Sequence, residues 1–342
     1  MARFFETKPK KETLWRSIIL FGRNVASYKF ALGKALIDLA DKEKTFVKLE
    51  DLAEPYAKYL IEHIRMNDKQ GTFQSSKFLN ACRDYERNKI SKNDLISKTV
   101  SLGFNNVIDA FHVVGRGEIP NRFFIDEREK RNGITITDDL LALKESVQFI
   151  NLPFEVEARW RLVETAWSLN ISPSLLEVRY DEDRDLLFTE SDIIRRIDIT
   201  SSRDSLNGYQ KGKCFYCKRP IVIDSSDPDQ MADVDHFFPH ILFNTISNIN
   251  LNGIWNLVLS CRECNRGEKG KFTSVPVIGF LERLFDRNEY FIQSHHPLRE
   301  TLINQTGNKI KARKNFLQQV DKQAIELLIH RWEPSFAFGE DE

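Results

Sequence analysis

The 342-residue sequence has no uninterrupted apolar run of the length that a bilayer-spanning helix needs, which is about 20 residues. Its first residues, MARFFETKPKKETLW, include basic side chains but no apolar stretch that ends in small residues, so a secretory signal is not expected. These two absences predict a cytoplasmic protein without a membrane segment. Disulfide bonds are not expected in that compartment, although the chain contains five cysteines.

The chain also lacks an excess of charge, because 50 lysines and arginines balance 50 aspartates and glutamates. Many nucleic-acid-binding proteins are strongly basic, so this balance is a mild argument against that class. Its force is limited because affinity for phosphates depends on local contacts rather than on total charge. Local basic clusters, which a solvated surface explains equally well, occur at Lys8, Lys10 and Lys11 and at Lys309, Lys311, Arg313 and Lys314.

Internal repeats and low-complexity segments are also absent, and the length is sufficient for two domains of ordinary size. Polar residues at positions 200–202 suggest a boundary near residue 200. We therefore predict an α+β protein with two domains. Residues 1–200 would form a mostly helical recognition or regulatory domain, and residues 201–342 would form a second domain that ends in helices.

Apolar residues at helical spacing predict helices in the first 112 residues, for example Leu14, Ile18 and Phe21. Two short helices around Leu102-Gly103-Phe104 are expected to precede a hairpin that turns near Asn132-Gly133. Helix, turn, helix and hairpin together resemble a winged-helix unit, which could place a helix in a DNA groove. A packing scaffold is the alternative interpretation.

Later segments give weaker signals. A helix is predicted to begin at Leu152-Pro153, and two short strands are expected on either side of the acidic turn Asp181-Glu182-Asp183. Polar residues near position 200 would cap a short helix that ends at Gln210. Beyond Lys271 the chain is predicted to return to helix.

Four of the five cysteines form two pairs, Cys214-Phe-Tyr-Cys217 and Cys261-Arg-Glu-Cys264. A two-residue gap lets both sulfurs of a pair face one ion at about 2.3 Å, and Zn²⁺ accepts four thiolates in a tetrahedron. A redox pair would need a thioredoxin-like setting, and two disulfides would need an oxidising compartment. We therefore predict a structural zinc site that closes the long loop between the pairs.

Three short motifs lie between and beside the cysteine pairs: Asp235-His236-Phe-Phe-Pro239, Asn256-Leu-Val, and Asn265 directly after the last cysteine. Together with the pairs, they strongly resemble the zinc-supported HNH nucleases of the ββα-metal class. The local arrangement is similar to the HNH module of RNA-guided CRISPR effectors, although nothing else in the chain looks like such an effector. The specific resemblance covers roughly residues 209–272.

The resemblance implies a module that hydrolyses phosphodiester bonds. His236 would be the general base, because neutral imidazole can take a proton from water at physiological pH. Asp235 and the side-chain oxygen of Asn265 would hold Mg²⁺ or Mn²⁺, since hard ions prefer oxygen ligands. Asn256 would orient the loop that carries the base. The third motif residue of the family is often histidine, so the asparagine here leaves the preferred ion open.

Three cationic residues follow Asn265: Arg266, Lys269 and Lys271. The pattern predicts that a helix begins here, and these side chains would hold DNA phosphates. His240, four residues after His236, either contacts the metal or a phosphate or is a surface histidine.

DNA is the expected partner. One HNH centre cuts one strand, so nicking is expected unless two centres meet in a dimer. The helical first domain could recognise a DNA sequence or modification, bind a partner protein that licenses cleavage, or restrain the nuclease. The resemblance of the whole layout to accessory bacterial HNH proteins implies a role in bacterial restriction or anti-phage defence. Two alternatives stay open: a zinc-stabilised nucleic-acid-binding module without catalysis, and an HNH nuclease that cleaves RNA.

Overall fold

The structure is a computed structural model, and it describes residues 9–22, 25–41, 45–73, 75–114, 117–169, 173, 176–190, 196–224, 231–243, 245–246, 249–294 and 296–335. The chain divides into two compact units, Thr7–Asn170 and Ile171–Glu342. Both contain helices and small sheets, so the fold class is α+β, as predicted. The boundary suggested near residue 200 falls within a strand of the second unit, Arg196–Ser201. No described helix combines the length and the apolar character needed to cross a membrane.

The first unit is mostly helical. Its described α-helices are α1 (Lys11–Phe21), α2 (Tyr28–Asp41), α3 (Leu49–Met66), α4 (Lys77–Glu86), α5 (Lys92–Lys98), α6 (Val107–Ala110), α7 (Arg128–Arg131), α8 (Asp138–Lys144) and α9 (Leu152–Ser168). Its described strands are β1 (Phe46–Lys48), β2 (Val113–Val114), β3 (Gly117–Glu118), β4 (Phe124–Asp126) and β5 (Gly133–Ile136). The large side chains Trp15, Phe30 and Trp160 are buried in its core.

The hairpin predicted around Asn132 is present. β4 and β5 pair antiparallel with Phe124 opposite Ile136, and Asn132 adopts a left-handed φ of 51° after α7. A third strand that was not predicted, β1, joins the sheet in the order β1-β5-β4. The second predicted short helix is reduced to α6, because the chain turns into β2 directly after it.

The second unit contains the cysteine pairs and the three motifs. Its described strands and α-helices are β6 (Arg179–Asp181), β7 (Leu186–Glu190), β8 (Arg196–Ser201), α10 (Ser202–Gln210), β9 (Asp233–His236), β10 (Leu257–Ser260), α11 (Arg262–Arg266), β11 (Val275–Pro276), α12 (Ile278–Gln293), α13 (Arg299–Thr306), α14 (Ile310–Leu328) and β12 (Arg331–Trp332). The strands predicted around the acidic turn are β6 and β7, and α10 is the predicted helix that ends at Gln210. Helices α12 to α14 confirm the predicted return to helix.

Two antiparallel strands and a short helix, β9, β10 and α11, position the motifs. β10 is buried along its whole length, as its first three residues, Leu257-Val258-Leu259, favour. The Gln210 side chain at the end of α10 bonds both the N–H and the carbonyl of Leu259, at 2.8 and 2.7 Å. On α12, Asn288 donates to the Trp255 carbonyl at 3.1 Å. Side chains from two flanking helices therefore hold β10 and the segment that directly precedes it.

Candidate functional site

The four paired cysteines, 214, 217, 261 and 264, converge. Their sulfur atoms all lie within 4.8 Å of one another, and Sγ of Cys217 is 3.7 Å from Sγ of Cys261. A tetrahedral zinc with bonds of about 2.3 Å needs sulfur atoms about 3.8 Å apart. The cluster could therefore hold a metal such as zinc, as predicted, and a zinc ion there would act as a crosslink.

Local backbone geometry shapes this cysteine cluster. In the first pair, the Lys218 N–H donates to the Cys214 carbonyl at 3.1 Å, and Lys218 adopts a left-handed φ of 63° that closes a tight turn. In the second pair, Cys261 immediately precedes α11, and the Asn265 N–H donates to its carbonyl at 3.1 Å. Asn265 is thereby fixed by the turn that carries two of the sulfur atoms.

His236 ends strand β9, opposite Leu257 of β10, and its side chain is largely buried. Its Nε2 lies 2.7 Å from Oδ1 of Asn252. Because an amide oxygen only accepts hydrogen bonds, Nε2 carries the proton and Nδ1 is the basic nitrogen of the neutral ring. Burial lowers the pKa of His236, although the bond to Asn252 opposes the shift. The ring therefore favours the neutral form that a general base requires.

Asn256 is completely buried and fixes the backbone that follows His236. Its Oδ1 accepts from the Phe238 N–H at 2.8 Å, and its Nδ2 donates to the carbonyls of Phe238 and Leu251 at 3.0 and 2.9 Å. These contacts fit the loop-orienting role predicted for Asn256. The imidazole itself is held by Asn252, which sequence reasoning missed because an Asn-Gly step indicates only a turn.

Asp235 was predicted to bind the divalent ion, but its carboxylate is bonded to other side chains. Its Oδ2 accepts from the Tyr216 hydroxyl at 2.6 Å, and its Oδ1 lies 3.1 Å from Nζ of Lys271. Burial raises the pKa of Asp235, although Lys271 and Tyr216 oppose the shift. Both carboxylate oxygens are thus engaged inside the fold, so in this arrangement neither is placed to bind a divalent ion at the surface.

The carboxylate that contacts Asn265 is Asp233. Nδ2 of Asn265 donates to Oδ2 of Asp233 at 3.0 Å, and Arg266 donates to Oδ1 at 2.9 Å. Carboxylate and amide oxygens are the donors that Mg²⁺ prefers. Sequence reasoning missed Asp233, although its place two residues before Asp235 on a strand was a usable signal.

An open cleft of about 270 Å³ brings His236 together with Asp233 and Asn265. The acidic turn between β6 and β7, which had no predicted role, contributes to the cleft; the ring centroids of Tyr180 and His236 are 6.2 Å apart. The full lining is Tyr180, Glu182, Asp185, Arg203, Asp233, Val234, His236, Asn265 and Arg266. Outside the cysteines, the described residues contain no cluster of three or more acidic, histidine or cysteine ligands.

The three predicted phosphate-binding cations differ in their surroundings. Arg266 and Lys269 are exposed, whereas Lys271 is only 1% exposed and donates to the His236 carbonyl at 3.0 Å. The prediction of a phosphate contact was therefore wrong for Lys271, whose ammonium is used inside the fold. The predicted helix start was also misplaced, because α11 ends at Arg266, where Gly267 N–H bonds the Glu263 carbonyl.

His240 is exposed and lies beside the cleft. Its ring centroid is 5.7 Å from that of His236, and its Nε2 is 3.3 Å from a Glu182 carboxylate oxygen. The acidic turn therefore reaches the loop that follows the candidate base.

No family model, curated protein or solved structure matches the chain, so its function has to be argued from the chemistry of this site.

Proposed function

We propose that residues 209–272 form an HNH-type module that hydrolyses the phosphodiester bonds of DNA with the help of a divalent ion. The observation that carries the proposal is the hydrogen bond from Nε2 of His236 to Asn252, because it places the proton of the neutral ring on Nε2 and leaves Nδ1 as the base. The oxygen donors of Asp233 and Asn265 border the same cleft. The order of two strands, a helix and a cysteine cluster further supports the resemblance seen in the sequence.

Each side chain has a definite task in this reaction. Nδ1 of His236 would accept a proton from a water molecule whose oxygen attacks phosphorus, while the bond from phosphorus to the 3′ oxygen breaks. Asn252 and Asn256 would hold the ring and its loop in place. Asp233, in place of the predicted Asp235, would join Asn265 in binding Mg²⁺ or Mn²⁺. When bound, such an ion supplies positive charge that neutralises the scissile phosphate.

The exposed side chains of Arg266 and Lys269 are suited to contacting DNA phosphates, and Arg266 also lines the cleft. A single centre of this kind would nick one strand, and a dimer would be needed to break both. A licensing partner protein, a function in restriction or anti-phage defence, and DNA reading by residues 1–200 stay predictions from the sequence.

Cleavage of supercoiled plasmid in the presence of Mg²⁺ or Mn²⁺ tests the proposal. The wild-type protein should produce nicked circles, and His236→Ala should abolish them. His330→Ala is a matched control, because it also replaces a histidine by alanine, but His330 is exposed and lies outside the cleft lining. Equal nicking by wild type and His236→Ala would refute the assignment of the base.

Matched DNA and RNA duplexes separate the alternatives. Faster cleavage of RNA would show that RNA rather than DNA is the substrate, and the proposed chemistry of the site would not change. Tight binding of either duplex, with no cleavage in the presence of any divalent ion tested, would favour the zinc-stabilised binding module.

A further inference from the structure

Three polar side chains, Tyr216, Asp235 and Lys271, form a buried network beneath the candidate cleft, and each has less than a tenth of its surface exposed. The Tyr216 hydroxyl donates to Oδ2 of Asp235 at 2.6 Å, and Nζ of Lys271 lies 3.1 Å from Oδ1. The proposed reaction uses none of these three groups.

The network joins both cysteine pairs to the backbone of the candidate base. Tyr216 lies between Cys214 and Cys217 in the first pair. The Lys271 N–H donates to the carbonyl of Cys264 in the second pair at 2.7 Å. From the same residue, Nζ reaches the carbonyl oxygen of His236 at 3.0 Å.

Every polar atom of the network has a partner, so its geometry is well defined. An ammonium group has three N–H donors, and Nζ of Lys271 meets three acceptors: Asp235, the His236 carbonyl and the Phe272 carbonyl at 3.3 Å. Apolar side chains of similar volume would commonly stabilise a fold at least as well as a buried ion pair. A fully bonded polar network is therefore better explained by a need for one fixed arrangement.

We propose that Tyr216, Asp235 and Lys271 are positioning residues that transmit the geometry of the cysteine cluster to the backbone of His236. The inference rests on the proposed role of His236 as the base. It accounts for the engagement of Asp235 inside the fold, next to His236, while Asp233 borders the cleft.

The test compares Lys271→Met and Tyr216→Phe with Glu289→Gln in the full chain. Tyr216→Phe removes a single oxygen, so it keeps the test decisive if loss of the lysine prevents folding. Glu289→Gln is the matched control, because it weakens the buried ion pair of Glu289 and Arg313 in the same unit and touches none of the three network residues. Zinc content, the NMR resonances of ¹³C-labelled His236, kcat and KM are measured for each protein.

Both network variants should retain the wild-type zinc content while the His236 resonances shift. Their kcat should fall by as much as about 10²-fold with little change in KM, because a displacement of about 1 Å can have that effect on a catalytic group. Glu289→Gln should shift neither the resonances nor kcat.

Unchanged His236 resonances and kcat in a folded, zinc-containing Tyr216→Phe or Lys271→Met protein would overturn the inference. If the wild-type protein cuts no nucleic acid, the proposed function fails, but the resonance shift still decides whether the network positions His236. The two failures are therefore distinguishable.

Discussion

Asp233 and Asp235 are two residues apart on β9, yet their surroundings give them different chemistry. Asp235 is enclosed and bonded to Tyr216 and Lys271, whereas Asp233 borders the cleft beside Asn265. A divalent ion that keeps part of its water shell needs an accessible carboxylate. At the residue scale, accessibility therefore favours Asp233 as the ligand.

Substitution of the two aspartates tests this assignment. Asp233→Asn should weaken Mn²⁺ binding to the zinc-loaded protein at least about 10-fold, since loss of outer-sphere partners alone has effects of that size. Asp235→Asn should weaken it less. Electron paramagnetic resonance of bound Mn²⁺ measures both affinities. If Asp233→Asn bound Mn²⁺ normally and Asp235→Asn did not, Asp235 would be the ligand. Lys271 would then have to move away from Asp235 when the ion binds.

His112 is a second buried histidine, in the first unit, and it has a structural role. Its Nε2 accepts from the Phe123 N–H at 3.0 Å, which requires the ring to be unprotonated at that nitrogen. Burial, with a further contribution from Arg122, lowers the pKa of His112 to about 4. The folded state therefore binds this proton much more weakly than the unfolded state.

The first unit should consequently lose stability in acid. His112 contributes its full stabilisation above the unfolded pKa of about 6.5, and loses it as the pH falls towards 4, by about 3 kcal/mol in total. Urea unfolding at a series of pH values measures this loss. His112→Gln, which keeps an acceptor but does not titrate, should show a smaller decrease between pH 7 and pH 4.5. Parallel curves for the two proteins would contradict the assignment.

At the scale of elements, the turn between β6 and β7 brings negative charge to a cleft that is proposed to receive phosphates. Glu182 lines the cleft and lies 3.3 Å from Nε2 of His240. Asp185, directly before β7, forms an ion pair with Arg203. The turn is therefore expected to oppose nucleic-acid binding through Glu182, whose charge is less fully compensated than that of Asp185.

Removal of this charge should strengthen binding. Glu182→Gln is expected to lower the Kd for DNA by about 2- to 5-fold, the range for an exposed charge. Fluorescence anisotropy with catalytically inactive His236→Ala protein measures the Kd without cleavage. The gain should disappear at 1 M salt, where the Debye length is about 3 Å. A gain that is independent of salt would point to a change in the shape of the turn instead.

At the scale of the whole molecule, the two compact units differ in what stabilises them. The first unit has an extensive apolar core that includes Trp15, Phe30 and Trp160. All four clustered cysteines belong to the second unit, where they join the segment after α10 to the start of α11. Loss of a metal from the cluster should therefore destabilise one unit selectively.

Chelation of zinc should lower the unfolding temperature of Ile171–Glu342 and leave that of Thr7–Asn170 unchanged. Structural zinc sites contribute apparent free energies of about 10–16 kcal/mol, so the effect should be large. Calorimetry detects the transitions, and hydrogen exchange with mass spectrometry assigns them to the units. Cys261→Ser should behave like the chelated protein, while Cys82→Ser leaves the cluster intact. A shift of both transitions together would show that zinc does not act locally.

Much of the architecture follows from short-range sequence signals. The hairpin turn at Asn132, the start of α9 at Leu152-Pro153 and the return to helix after Lys271 depend on neighbouring residues and on local periodicity. The cysteine cluster was also predictable, because the two-residue gap within each pair suits one metal ion. These features need no knowledge of distant contacts.

By itself, the sequence determined the hairpin of β4 and β5, many of the helices, the cysteine pairs that could hold a metal, and the identity of the residues that resemble a nuclease centre. The tertiary structure alone decided that Asp235 and Lys271 are buried partners, that Asp233 contacts Asn265, and that Asn252 holds His236. The physical reason is that the accessibility and charge state of a polar group depend on which distant segments pack against it. A motif specifies side-chain chemistry, but only the fold decides which of those side chains meet solvent and which are neutralised inside.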